Sequence, residues 1–386
     1  MSDPPKTEFL IIGGGVIGLS IARELHKRGA QGVTIVDKGR IGGEASWAAA
    51  GMLAPNAETH ADDAFFRLCT ASNELYPQFA AELLDETGID IELDSTGTVS
   101  AAFGDNDEAA LLAKFEWQRA AGIPVERLTT QAIRALEPQI SPQVRFGLFY
   151  PNDWQVENRK LVAALRRYCE LDGIRLVENT EITDLIVEHG AVQGAIAAGG
   201  GFRSQKTVLS AGAWAGALTA THLQCTAEIK PIRGQMISLA GPGRPLKHVI
   251  YSPNGYLVPR ADGRILVGAT VEDVGFRKEV TPEAIELLRA TAFEIIPALA
   301  NFNIKEAWAG LRPYADHGLP MIGRIPDLEN AYIATGHFRN GILLAPLTGR
   351  VMADEILGGE ARTDASDFAP KGAGEASNVA SISNNR

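Results

Sequence analysis

The sequence predicts an α/β protein that opens with a doubly wound sheet and interleaves it with a second, strand-rich domain. Three observations carry that expectation. A short apolar run, Phe9 to Ile12, ends in glycines, and Ile17, Ile21, Ala22 and Leu25 follow at helical spacing before Gly29, a helix terminator. Val33 to Val36 is a second apolar run, so strand, helix and strand open the chain. At 386 residues the chain exceeds ordinary single-domain size and allows two or three domains.

Downstream, Asp62 to Thr87 and Asp107 to Ala121 read as helices, as does Lys160 to Cys169. "IRLVENTEITDLIVEHGAVQGAIA" reads as strands and a turn, and "KTVLSAGAWAG" as a buried strand entering a glycine-rich corner. Ile229 to Thr270 is mainly strand, with Asp262 and Gly263 as a hairpin turn between Tyr256–Pro259 and Ile265–Ala269. Thr281 and Pro282 signal a helix start, followed by Ile285, Leu288, Ala292 and Ile295 on one apolar face. The division expected is 1–85, 145–225 and 305–360 in the first domain and 86–144 and 226–304 in the second. Residues 361–386, rich in Ala, Ser, Gly and Asn, read as a disordered tail.

Composition narrows the function. A formal charge of −11 opposes binding to nucleic acid or an anionic membrane, so an anionic ligand must be drawn by local arginines. Cys69, Cys169 and Cys225 are far apart, which points away from a disulfide framework and towards a reducing cytoplasm. The N-terminus does not read as a signal peptide, and the uncharged run from Thr207 to Ala227 is too polar for a membrane span. The seven histidines form no ligand pattern, so no metal is expected.

Gly13, Gly15 and Gly18 have G-x-G-x-x-G spacing between strand and helix, the Rossmann-like arrangement that admits a pyrophosphate. Asp37, at the end of the second strand, is placed to accept hydrogen bonds from a ribose. A second loop of small residues, Gly39 to Leu53, either passes the far end of an extended dinucleotide, with Ser46 as a donor, or is a surface loop. In "GHFRNGILLAP" a cation, Arg339, precedes a helix starting at about Asn340, where the partial charge is already positive; the placement makes sense if an anion docks there.

The opening unit, "ASWAAAGML", "VLSAGAWAG", "YLVPR", "VGAT", "AWAGLRP" and "GHFRNGILLAPLTG", in this order, resemble the glycine oxidase branch of the FAD-dependent D-amino-acid oxidase family, a branch associated with thiamine thiazole synthesis. The resemblance runs from about Phe9 to Leu357. It implies an FAD-binding domain and a substrate domain built on a mixed, largely antiparallel sheet. It also implies cofactor contacts from Val16 and Ile17 on the first helix, Lys38 beside Asp37, and Ala48, Ala49, Gly51 and Met52 on the small-residue loop. Ile182 is implied to touch the adenine through its backbone, with Ala211, Gly212 and His337 beside the cofactor. Related enzymes that tether flavin use a late cysteine; none follows Cys225 here, so FAD is expected to be non-covalent.

Oxidising an amino acid requires a neutral amine, a gripped carboxylate and a Cα–H aimed at the flavin, and no side-chain acid or base. A planar guanidinium suits that grip. Read alone, Arg312 and Arg339 could be solvated or paired, and Tyr256 could be a core or hairpin aromatic. The resemblance gives Arg312, Arg339 and Tyr256 to the substrate. The N–H groups of Gly341, Ile342 and Leu343, after Asn340, are expected to stabilise negative charge on the flavin.

The expected activity is oxidation of glycine or another small amine or D-amino acid to an imine, with O2 giving peroxide, in a cytoplasmic homo-oligomer, dimer or tetramer. The alternatives are a dehydrogenase with another electron acceptor and a non-catalytic flavoprotein. The resembled enzymes carry His and Met where this chain has Asn254 and Val271, which leaves the choice among glycine, sarcosine and larger D-amino acids open.

Overall fold

Two eight-stranded sheets organise the chain, and the computed structural model describes residues 6–222, 228–326, 328–359 and 363–371. In the first sheet the strand Lys6–Ile12 lies parallel to both Val33–Val36 and Gly200–Leu209. Every residue of Val33–Val36 is buried, as expected of a strand covered on both faces. Arg175–Val177 extends one side of this sheet, and Ala331–Thr335 and Met321–Arg324 the other. The helices Val16–Lys27 and Gly341–Leu357 pack closely where Gly349 admits the backbone of Ser20; a Cβ there would lie 2.8 Å from the Ser20 carbonyl oxygen.

The second sheet runs Asn303–Ala315, Ile229–Ala240, Ile265–Gly268, Gly255–Pro259, Val249–Ser252, Thr98–Ala102, Phe146–Tyr150, Glu126–Thr129. It is antiparallel except for the pair Val249–Ser252 and Thr98–Ala102. The helix Pro282–Ile295 buries Leu288, Ala292 and Ile295 in the core beneath it, and its Thr281 side chain accepts the Ala284 N–H at 3.3 Å.

Three sequence expectations meet a different arrangement. Phe146–Tyr150 and Asn303–Ala315 bond into the second sheet, although the expected divisions put 146–150 and 305–315 with the first. A buried apolar run shows that a strand exists but not which distant strand it will pair with. The expected tail is ordered at residues 363–371: Phe368 is buried, 6.3 Å from Phe65 between ring centroids, so one large apolar side chain anchors a polar stretch. The rest of that expectation, and Cys225, lie outside the described residues.

Candidate functional site

A cavity of about 1320 Å³ is lined by residues of both sheets. All residues named above for cofactor or substrate line it except Gly18 and Leu343. Gly18 instead lets the helix approach the loop before it, since a Cβ there would lie 2.0 Å from the Gly13 carbonyl oxygen.

The first wall is backbone. Gly13 has φ of 108° and faces the Ser210 carbonyl so closely that a Cβ would lie 2.3 Å from its oxygen. Asp37 braces this loop: its two carboxylate oxygens accept N–H bonds from Gly14 and Gly39, both at 2.8 Å. About two of the four lone-pair positions of that carboxylate stay open towards a hydroxyl. Ser46 accepts the Val16 N–H at 2.9 Å, which ties the second loop to the start of the first helix.

That second loop contains the short helix Ala45–Ala48 and is held from behind. Asn158 donates to the carbonyls of Ser46 and Trp47 at 2.9 and 3.0 Å, Trp308 to Ala48 at 2.9 Å, and Arg260 to Ala50 at 2.8 Å. Asn158 and Arg260 are both buried and were not found by sequence reasoning, because nothing local marks them as partners of a loop about a hundred residues or more away.

At the helix Gly341–Leu357 the first helical bond runs from the Leu344 N–H to the Asn340 carbonyl at 2.8 Å, which leaves the N–H groups of Gly341, Ile342 and Leu343 ahead of the ladder. Pro346 cannot donate to the Ile342 carbonyl, and Tyr76 donates to it instead, while Ser72 donates to Leu343 at 2.6 Å. The helix start is thereby fixed by side chains from the helices Ala64–Glu74 and Tyr76–Thr87. Burial pushes the His337 imidazole down to about 3, so it is neutral beside Thr348, 3.1 Å away.

The second wall is made of side chains. Arg312 donates to the Thr270 carbonyl at 3.1 Å, and among the described residues no carboxylate forms an ion pair with it. Burial lowers its pKa, the expected effect on a cation short of counter-charge. Gly234 makes room for the guanidinium, since a Cβ there would sit 2.2 Å from Nη1. Gly268 does the same for Tyr256, whose ring carbons would lie 2.5 Å from an added Cβ. Burial raises the Tyr256 phenol pKa, and Arg312 and Arg339 oppose that rise.

Arg339 has a partner that sequence reasoning missed. Its Nη2 lies 3.6 Å from Glu58 Oε1, and Glu58 raises its pKa. Tyr251, directly opposite Tyr256 in the hairpin, donates to the same Glu58 oxygen. The turn signal Pro253-Asn254-Gly255 could have placed the two tyrosines side by side; nothing marks Glu58. It ends the short helix Pro55–Glu58, whose Asn56 and Ala57 N–H groups donate to buried Asp153 at 3.2 and 2.7 Å. Asn254 donates to Glu294 at 3.0 Å, and Val271 is exposed at the cavity's edge.

Residues 8–355 match the family model described as FAD dependent oxidoreductase. The chain is 35% identical to a glycine oxidase of Pseudomonas aeruginosa over 94% of its own length and 98% of that protein. It is 36% identical over 91% of its length to the bifunctional protein ThiO/ThiG of Synechocystis sp., of which the match covers 52%. The crystal structure of glycine oxidase from Geobacillus kaustophilus superimposes with a TM-score of 0.91 at 32% identity, covering 95% of this chain and 99% of that one.

Proposed function

The chain belongs to the FAD dependent oxidoreductase family, and on that premise we propose that it oxidises glycine and other small amines or D-amino acids, among them sarcosine, D-Ala and D-Pro, to imines that water hydrolyses. For glycine the products are glyoxylate and ammonia. The observation that carries this reading is Arg312, a cation without a carboxylate partner among the described residues, beside Tyr256 in the cavity that the glycine loop also lines. A buried cation short of counter-charge is a binding site for an anion.

The residues present fit FAD. The volume exceeds the roughly 300–1,000 Å³ of ordinary small-molecule pockets, which leaves room for a dinucleotide and a small substrate. Gly13 and Gly15 give an uncluttered backbone surface at one helix start, and Gly341 and Ile342 expose N–H groups at another. Asp37 would accept ribose hydroxyls, Ile182 would flank the adenine, and the Gly341 and Ile342 N–H groups would stabilise negative charge on the flavin. FAD held there would supply the two-electron oxidant, with a hydride from the substrate Cα as the reductant and O2, reduced to peroxide, as the final acceptor.

The protein's own part is to bind and orient. Arg312 would hold the α-carboxylate, Tyr256 would hydrogen-bond it, and Arg339 would add positive potential nearby. No side chain need act as a base at Cα, since the Cα hydrogen leaves with its bonding electrons as the lone pair of the neutral amine forms the iminium. The absence of a cysteine after Cys225 supports non-covalent FAD. Buried, unpaired Cys69 and Cys169 suit a cytoplasmic protein, here taken as a homo-oligomer. The likeness to the bifunctional protein ThiO/ThiG of Synechocystis sp. supports a role in thiamine thiazole synthesis.

Anaerobic mixing of the FAD-loaded protein with glycine, sarcosine and D-proline tests the reading. Loss of visible flavin absorbance, reversed by air with release of peroxide, is the expected result; an unchanged spectrum with all three amines would overturn it.

A further inference from the structure

We infer that Glu58 sets the carboxylate count of the substrate: by occupying Arg339 it leaves Arg312 as the cavity guanidinium that no carboxylate pairs among the described residues, and without its charge Arg339 becomes a second carboxylate subsite. The inference rests on the proposed reading of the cavity and names a residue that selects substrates within it. The favoured class is then amines carrying one carboxylate. The excluded class is secondary amines with a carboxylate on each arm.

The two cations differ in what surrounds them. Arg312 has a backbone carbonyl and the Tyr256 phenol beside it, and no carboxylate partner among the described residues. Arg339, which affects Tyr256 as Arg312 does, faces Glu58 at 3.6 Å. A single anion would therefore go to Arg312. A second carboxylate on the same molecule would have to approach Arg339 past the Glu58 charge, and like charges brought together oppose binding.

Glu58 is held in that position. Tyr251 donates to its Oε1, and the helix turn that carries it is anchored through Asn56 and Ala57 to Asp153. Asn56 also bonds Asp153 through its side chain, at 2.6 Å. A carboxylate fixed on both its donor side and its backbone side cannot swing away cheaply to admit a competitor. Arg339 lines the same cavity as Arg312, so the guanidinium faces the substrate space once Glu58 no longer answers its charge.

The test is calorimetric titration of the FAD-loaded protein with methoxyacetate and with diglycolate. These are the ether counterparts of N-methylglycine and of iminodiacetate, and lacking nitrogen they report binding without turnover. The wild type is expected to bind methoxyacetate more tightly. In Glu58→Gln the ratio of affinities should move about tenfold or more towards diglycolate, equivalent to one strong charge contact. Adding Arg339→Ala to that variant should remove the gain.

An unmoved ratio in Glu58→Gln, a gain that survives loss of Arg339, or binding of neither analogue overturns the inference. If the variant does not fold, the wild type still decides, because tighter binding of diglycolate than of methoxyacetate contradicts an occupied Arg339. Turnover is read separately with sarcosine. Binding as expected with no oxidation of sarcosine or glycine would bring down the proposed function and leave the charge assignment standing.

Discussion

Gly13 and Gly15 meet the cavity with bare backbone, whereas Arg312, Tyr256, Glu58 and Tyr251 meet it with side chains gathered from strands and a helix turn far apart in the chain. The first wall comes mainly from continuous stretches, 12–17 and 44–52, with Asp37 and Ser46 bracing the loops from nearby in sequence. On the second wall Glu58 and Arg339 are 281 positions apart and still form a pair. A backbone wall tolerates almost no added atom, while a side-chain wall can be altered one function at a time.

The largest effect expected is on the backbone wall. Gly13→Ala places a methyl 2.3 Å from the Ser210 carbonyl oxygen and forces a side chain into φ of 108°, neither of which can relax cheaply. A stability loss on the order of 3 kcal/mol and little flavin-bearing protein are expected, read from thermal unfolding and the ratio of visible to ultraviolet absorbance. Full flavin content in this variant would break the distinction between the walls.

Next comes Arg312→Ala. Removing a buried charge contact costs about 2–5 kcal/mol, so kcat/KM for glycine should fall at least about 30-fold while flavin content is unchanged. Arg312→Lys should rescue little, because a point charge cannot copy the planar fork. Equal loss of flavin and activity would mean that the two walls are not separable.

Gly234→Ala sharpens the same point at a distance. Its methyl would displace the Arg312 guanidinium, now 2.2 Å from the added carbon, without changing any group that touches substrate. A fall of about tenfold in kcat/KM is expected, carried mostly by KM, since small misplacements of a grip are costly.

The smallest effect concerns pH. His337 is buried neutral, with its pKa lowered from 6.5 to about 3. Its folded pKa lies below the unfolded one, so the associated stability is complete above pH 6.5 and is lost as pH falls towards 3. The limit is about 1.4 kcal/mol per pH unit inside that window. In His337→Gln the fall in Tm between pH 6.5 and 4 should be shallower than in the wild type; parallel curves would show that folding does not lower the imidazole pKa.

These two kinds of wall also differ in how far they can be read from sequence. The G-x-G-x-x-G spacing and Asp37 announce the loop because its constraints are local: a tight turn, a close approach and a nearby acid. Arg312 and Tyr256 were reached through the resemblance to a family, since each alone is an ordinary strand residue. Glu58 was not reached at all. Its role depends on Tyr251, Arg339 and Asp153, and no periodicity links those positions. The same limit hid the membership of Phe146–Tyr150 and Asn303–Ala315, whose partners are chosen by tertiary pairing.

The strand Asn303–Ala315 belongs to both walls. At Gly310 it lies so close to the small-residue loop that a Cβ would be 2.5 Å from that of Ala48, and two residues on, on the same face, it presents Arg312. Two strand residues span about 6.8 Å, so the strand acts as a ruler between the bed of the cofactor and the grip on the substrate. Inserting one residue between those marks would lengthen the ruler and turn Arg312 to the opposite face. A change at the rim, at Asn254 or Val271, leaves that spacing alone, while any insertion between Gly310 and Arg312 moves the grip relative to the bed.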